Sequence, residues 1–315
     1  MARRTFWLST TLLISTLSNF TLGARVPLHV TTRVQFSPLS LQEHYSALLA
    51  HYRQKDWAHV VEQGEVIKKY FIEAPLSNDA SFYLGVGFFH LADFFKANHY
   101  LSDYLQHNVT SKLVHEAMEY KFAIAENYSK GARNPLFGVA SLPRLVPAQE
   151  EALVLYDEVV AALPSHHPLV AKALWNKGIL LLQQNDYREG IEVFETLIRK
   201  FPNSPLAIES YIEINRAYLL RANNEYPDND FLELAEINLK KFQHVFSIKE
   251  KVDEACELFI EMQEIYAKHL YELGRFYERT GKNKASTLYY NRILSQFGAT
   301  KSAREAAARL EKMRK

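Results

Sequence analysis

Between Pro168 and Pro202 the chain reads as two apolar-periodic segments separated by four polar residues, Gln183, Gln184, Asn185 and Asp186. Leu174, Gly178 and Leu181 recur at helical intervals and share one face, as do Gly190, Phe194, Leu197 and Ile198 in the second segment. The glycines sit where two antiparallel helices must approach closely. Phe194 fills the space beside that approach, and Pro202 stops the second helix. The same alternation runs along most of the chain. Tyr45, Leu48, Leu49 and Tyr52 form one stripe, Gln54 to Asp56 a turn, and Trp57, Val60, Val61 and Ile67 the next stripe. A helix capped by Asn78 then carries Leu84, Gly85 and Phe88, and its partner carries Ala97 and Leu101. A third first helix, residues 111–130, carries Ile124, Ala125 and Tyr128 and ends at Gly131. Its partner resumes at Pro147 with Ala152, Tyr156 and Val159.

Further on, Ser204 and Pro205 open a helix with Tyr211, Ile214, Asn215 and Tyr218, followed by one with Ala235, Leu239 and Phe242. An unbroken helix from Lys249 to Arg279 spans about 45 Å. It carries Leu270, Leu273, Gly274 and Tyr277, and Ser286, Tyr290 and Ile293 follow. A last helix from Ser302 places Ala303, Ala306, Ala307, Leu310 and Met313 on one face and its basic residues elsewhere. Large-x3-Gly-x2-large, a small residue twelve on, an aromatic four later and a proline after eight more resembles the tetratricopeptide repeat (TPR). The expected fold is all-α, a TPR-type α-solenoid of about five to six helix-turn-helix repeats with a C-terminal capping helix. Residues 40–165 hold the N-terminal repeats and 166–315 the C-terminal ones. Within the former, residues 131–146 form an inserted loop, apolar at Leu136, Phe137, Val139, Leu142, Leu145 and Val146. It either folds back over the edge of the array or binds a partner. Gly85 and Gly87 lie inside a helical pattern with no preceding strand, so close packing explains them better than a dinucleotide loop.

Composition changes this picture little. Hydrophobic residues make up 48%, glycine and proline number 11 each, and the formal charge is +1. Long helices are permitted, and nothing calls for nucleic acid or an anionic surface as partner. Residues 1–24 read as a secretory signal peptide: Arg3 and Arg4, an apolar run from Phe6 to Leu17, and Leu22-Gly23-Ala24 as a cleavage site. An uncleaved anchor is the alternative. Residues 25–39 read as an extended lead-in. Cys256 is the sole cysteine, which excludes an intrachain disulfide, and its register with Val252 and Phe259 makes it a small buried hydrophobe.

Candidate chemistry is sparse. His44, His51 and His59 have no carboxylate or cysteine at usable sequence spacing, and His166-His167 lie in a turn, so no metal site is expected. Asn108-Val-Thr and Asn127-Tyr-Ser match glycosylation acceptors. No phosphate loop, nucleophile elbow or catalytic constellation appears, so neither enzyme activity nor a cofactor is expected. What the pattern does offer is a surface. The first helices of stacked repeats line the concave side, which places Tyr45, Tyr52, Phe82, Phe89, Trp175, Ile179, Ile212, Arg216, Tyr271, Arg275 and Arg279 there. Aromatics and arginines are the residues in which binding energy concentrates.

Residues 270–297, LYELGRFYERTGKNKASTLYYNRILSQF, resemble the last repeat of the outer-membrane assembly factor BamD. Glu272 to Tyr277 stand for its long-helix run and Asn291-Arg292 for its asparagine-arginine pair. Residues 187–210 resemble its repeated F-P-x-S-P pattern. The resemblance implies a periplasmic scaffold at the outer membrane that helps insert β-barrel proteins, with unfolded barrel substrates and the assembly machinery as partners. It would turn Tyr45, Tyr52, Phe82 and Phe89 to substrate, and Arg275, Arg279 and Arg292 toward a partner protein. The family's lipid-bearing cysteine has no counterpart, so membrane association would be indirect. A periplasmic TPR adaptor for cell-envelope or division machinery is the alternative.

Overall fold

The computed structural model describes residues 39–107, 113–224, 229–246 and 249–314. The stretch expected to be a signal peptide, the expected lead-in apart from Leu39, and the Asn108 triplet lie outside the described residues. Ser40 opens α1 (Leu41–Gln54) with a reciprocal cap. Its hydroxyl accepts the Glu43 amide at 3.3 Å, and the Glu43 carboxylate accepts the Ser40 amide at 2.7 Å. Helices α2 (Trp57–Tyr70), α3 (Pro75–His90), α4 (Phe94–His107), α5 (Val114–Ser129), α6 (Gln149–Ala162), α7 (Pro168–Gln183) and α8 (Tyr187–Lys200) follow. The remainder are α9 (Pro205–Asn224), α10 (Asn229–Val245), α11 (Lys249–Arg279), α12 (Asn283–Gln296) and α13 (Lys301–Arg314). Each helix packs on the next, and the first helices of successive hairpins also touch in series, from α1 through α3, α5, α7 and α9 to α11. That pattern is a TPR-type α-solenoid, in which every hairpin buries the flank of its neighbour.

Four of the tight turns inside hairpins are built alike. Lys55, Ala92, Asn185 and Gly281 take left-handed backbone conformations with φ between 57° and 74°. The next amide then bonds back to a carbonyl in the last turn of the first helix: Asp56 to His51, Asp93 to Phe88, Asp186 to Leu181 and Lys282 to Tyr277. The small-residue contacts fall where the sequence places them. A Cβ added at Gly178 would lie 2.7 Å from the Phe194 ring, and one at Gly274 would lie 2.6 Å from the Tyr290 ring. Both rings are fully buried. Gly85 approaches Leu101 equally closely.

The core is serial. One cluster runs from Phe82 to Ala207, from the second hairpin to the start of the fifth. A second joins α7 and α8 to α13, and a third seats Tyr211 and Phe242 against Ala255 of α11. Cys256 is half-buried beside this third cluster, and the Gln243 side chain donates to its sulfur at 3.4 Å. Helix α13 is anchored at its start by a residue of α11. The Glu264 carboxylate accepts the amides of Lys301 and Ser302 at 2.5 and 3.1 Å, and the Ser302 hydroxyl at 2.6 Å. No helix among the described residues is long and apolar enough to cross a membrane.

Two expectations are corrected. The second hairpin starts at Pro75, not after Asn78, because proline's fixed φ suits the first helical position and its missing amide costs nothing there. The insertion is not a plain loop. Residues β1 (Arg133–Pro135) and β2 (Arg144–Pro147) pair antiparallel, with Asn134 opposite Val146. Of the two readings left open, folding back is what the structure shows. The Arg144 guanidinium lies 3.0 Å from the Asp93 carboxylate and donates to the Ala92 carbonyl at 2.7 Å, tying the insertion to the α3–α4 turn. Its tip leaves Phe137 84% exposed, with Val139, Leu142 and Leu145 also exposed.

Candidate protein-binding face

Helical spacing brings an aromatic network onto the layer of first helices in the first three hairpins. Tyr45 and Tyr52 are two turns apart on α1, Glu116 and Tyr120 one turn apart on α5, and Tyr83, Phe89 and His90 lie between them on α3. Tyr83 sits edge-on to both Tyr45 and Tyr52, with centroids 6.2 and 4.9 Å away. Tyr52 meets Trp57 at 5.8 Å, and Trp57 stacks on His90 at 4.0 Å with an 11° interplanar angle. Phe89 then reaches Tyr120 at 5.2 Å. Edge-to-face pairs of this kind each add about 0.5–1.5 kcal/mol beyond area burial, so the network is rigid before anything binds.

Its polar atoms are few and placed. The Tyr52 hydroxyl donates to Glu116 Oε1 at 3.3 Å. Burial, then the neighbouring Glu116 and Tyr120, pushes the Tyr52 phenol well above its usual range. Burial, then Tyr83 and Asp79, does the same for Tyr45. Both phenols therefore stay protonated donors at neutral pH. The face can grip apolar and aromatic side chains while offering phenol oxygens and the Glu116 and Asp79 carboxylates as acceptors to a backbone amide or a cation.

The expected C-terminal residues have a different setting. Arg216 pairs with Glu213 at 3.1 Å and Glu254 at 3.4 Å, while Lys251 bridges Glu209 at 3.0 Å and Glu254 at 3.2 Å. These contacts lace α9 to α11. Arg275 lies 3.9 Å from Glu278, whose carboxylate also accepts the Tyr290 hydroxyl at 2.7 Å and faces Arg309 at 3.5 Å. Tyr271 is half-buried, 5.7 Å from Tyr290. Arg279 and Arg292 are exposed on different helices, and Arg292 donates to Gln296 at 3.1 Å. In the middle, Trp175 packs edge-on to Phe194 at 5.5 Å and borders a hollow of about 220 Å³ with Glu126, Lys130, Asn176 and Ile179.

Residues 150–205 match the family model for the tetratricopeptide repeat. That stretch carries the tetratricopeptide repeat. No curated protein matches it. Among solved structures it is similar to MamA, with 14% identity, 72% of this chain and 92% of that one covered, and a TM-score of 0.38. It is similar to a tetratricopeptide repeat protein from Parabacteroides merdae, with 14% identity, 81% and 92% coverage, and a TM-score of 0.38. It is also similar to the C-terminal part of a TPR repeat-containing protein from Cytophaga hutchinsonii, with 14% identity, 83% and 98% coverage, and a TM-score of 0.36. Tetratricopeptide proteins are interaction scaffolds that bind protein partners.

Within this tetratricopeptide array, two residues expected on the binding side are inside the core. Phe82 is fully buried, 5.5 Å from Tyr104, and Ile212 is 1% exposed. Helix α3 is apolar on nearly every side, with buried residues running from Ser77 to Phe88, so its periodicity did not point to one face. Tyr83 takes the place expected of Phe82. Tyr83, His90 and Tyr120 were missed, and the signal that marks them is their half-polar rings on otherwise apolar helices. The expectation that no carboxylate joins the histidines is also corrected. Asp56, in the turn between α1 and α2, lies 3.3 Å from His51 Nδ1 and 2.7 Å from His59 Nδ1. The Asn127 triplet lies within α5, and the Asn127 amide donates to the Ala123 carbonyl at 2.8 Å, which makes it a poor glycan acceptor.

Proposed function

We propose that the chain is a non-catalytic scaffold whose aromatic face on α1, α3 and α5 takes extended, aromatic-bearing polypeptide segments. The observation that carries this is the unbroken ring network from Tyr45 to Tyr120, largely half-buried and edged by phenol oxygens and the Glu116 carboxylate. Rigid aromatics bind at low entropic cost, and an extended segment brings backbone amides that the Tyr52 phenol oxygen and the Glu116 carboxylate can accept. The likeness of residues 187–210 and 270–297 to BamD extends the proposal. The segments would come from unfolded β-barrel proteins in the periplasm, and the C-terminal hairpins, with Tyr271, Arg275, Arg279 and Arg292, would meet the assembly machinery at the outer membrane. Trp175 and Arg216 would lie along the path between the two. Equilibrium titration of the full chain with labelled peptides from barrel strands, alongside polar peptides of equal length, tests the first part. Binding of the aromatic peptides that weakens about tenfold in Tyr52→Ala and in Phe89→Ala is the expected result. Equal affinity for polar peptides, or no loss in either variant, contradicts it. Crosslinking in intact cells tests the second part through the identity of the captured partners.

A further inference from the structure

His51 lies in the last turn of α1, Asp56 precedes α2 and His59 lies in the first turn of α2, so one tight turn gathers three groups that ligate metals. One ligand atom from each lies within 4.8 Å of the other two. The two imidazoles stack at 4.9 Å with a 20° interplanar angle, both Nδ1 atoms turned to the same carboxylate. Three features set this cluster apart from an ordinary surface ion pair. His51 Nδ1 is buried and makes no well-formed hydrogen bond, so a polar atom is aimed into the cluster without a satisfied partner. The turn is held by the backbone, since Lys55 is left-handed and the Lys55 and Asp56 amides bond back to the Tyr52 and His51 carbonyls. The ligand types are two imidazoles and one carboxylate, the mixture that suits zinc, copper and nickel better than calcium or magnesium.

We propose that His51, Asp56 and His59 bind one divalent transition-metal ion, zinc first among them. A tetrahedral ion with bonds of about 2.0–2.1 Å holds its ligand atoms roughly 3.3 Å apart. The His51–Asp56 separation of 3.3 Å already meets that spacing. The His59–Asp56 separation of 2.7 Å is that of a hydrogen bond, and it opens when the proton on His59 Nδ1 is displaced by the metal. Three protein ligands leave a fourth position open to water or to a donor from a bound segment. The site adjoins the aromatic face, because His51 precedes Tyr52 and Asp56 precedes Trp57. The proposal does not depend on the binding function suggested for that face.

Calorimetric titration of the full chain with Zn²⁺ at neutral pH tests the proposal, with Co²⁺ absorption as a second readout of coordination. The wild type takes up one equivalent with a low-coordinate Co²⁺ spectrum, and zinc raises its thermal midpoint. His59→Ala and Asp56→Asn each weaken binding at least about tenfold and abolish the Co²⁺ bands. His59 is 55% exposed, so its replacement leaves the fold intact, which far-UV circular dichroism checks. His166→Ala/His167→Ala leaves binding unchanged. Zinc affinity equal in wild type and His59→Ala, loss of binding in the His166→Ala/His167→Ala variant instead, or a Co²⁺ spectrum no different from the aqueous ion would overturn the assignment.

Discussion

The first three hairpins and the last three are built on one plan and finished differently. On the layer of first helices the N-terminal half presents rings: Tyr45, Tyr52, Tyr83, Phe89 and Tyr120 are linked edge to face. The corresponding layer on α9 and α11 presents charges, with Arg216, Lys251, Glu209, Glu213 and Glu254 joined across the two helices. Beneath both layers the packing is the same, a glycine or other small residue facing a large buried side chain. Repeat packing fixes the scaffold, and the few residues per hairpin that packing leaves free decide what the scaffold meets. Exposed ion pairs gain little, because water and salt screen them, whereas preformed aromatic surfaces keep their full value for a ligand.

The largest expected effect breaks the part the two halves share. Phe194→Ala removes a fully buried ring pressed on Gly178, and about 3–5 kcal/mol of stability goes with it, read from urea unfolding. Gly274→Ala brings a methyl within 2.6 Å of the buried Tyr290 ring, whose hydroxyl is tied to Glu278. The ring has little room to yield, so a loss of about 1–3 kcal/mol is expected by the same assay. Ala92→Gly acts in the opposite direction. It relieves a left-handed alanine at φ 57° and stabilises by about 1 kcal/mol, visible as a raised thermal midpoint.

The smallest effect sharpens the contrast in surface. Burial, opposed by Arg216, raises the Glu213 pKa above its usual value. The folded chain thus holds that proton more tightly than the unfolded one. Stability from this group is greatest below the unfolded pKa and falls as pH rises from there through the folded pKa, then stays level. Glu213→Gln removes that decline, so the slope of stability against pH becomes shallower across the weakly acidic range. Unfolding curves at a series of pH values measure it. The raised phenols of the aromatic half add nothing in that range, because they stay protonated until far above neutrality, whereas Asp79, whose pKa burial also raises, contributes a decline of the same sign.

The helices were legible in the sequence because one periodicity governs them, and Gly178, Gly190 and Gly274 mark close approaches that larger residues cannot make. Helix α11, from Lys249 to Arg279, was legible to its ends. What escaped was set by geometry between segments. Phe82 was assigned to the surface because its consensus position says so, but α3 is enclosed on nearly every side. The β1–β2 pairing is only a few residues long and carries prolines, so no alternation announces it. Asp56 escaped because it joins His51 and His59 through a turn, and no helical or strand spacing relates the three.

Photo-crosslinking from single p-benzoylphenylalanine residues probes the difference between the halves most directly. The probe replaces Tyr52 in one chain and Phe276, which is 50% exposed, in another, each offered a labelled aromatic strand peptide. Adducts from position 52, competed away by unlabelled peptide and absent from position 276, are the predicted result. Equal yields from both positions, or adducts from position 276 alone, would contradict the assignment of segment binding to the aromatic half.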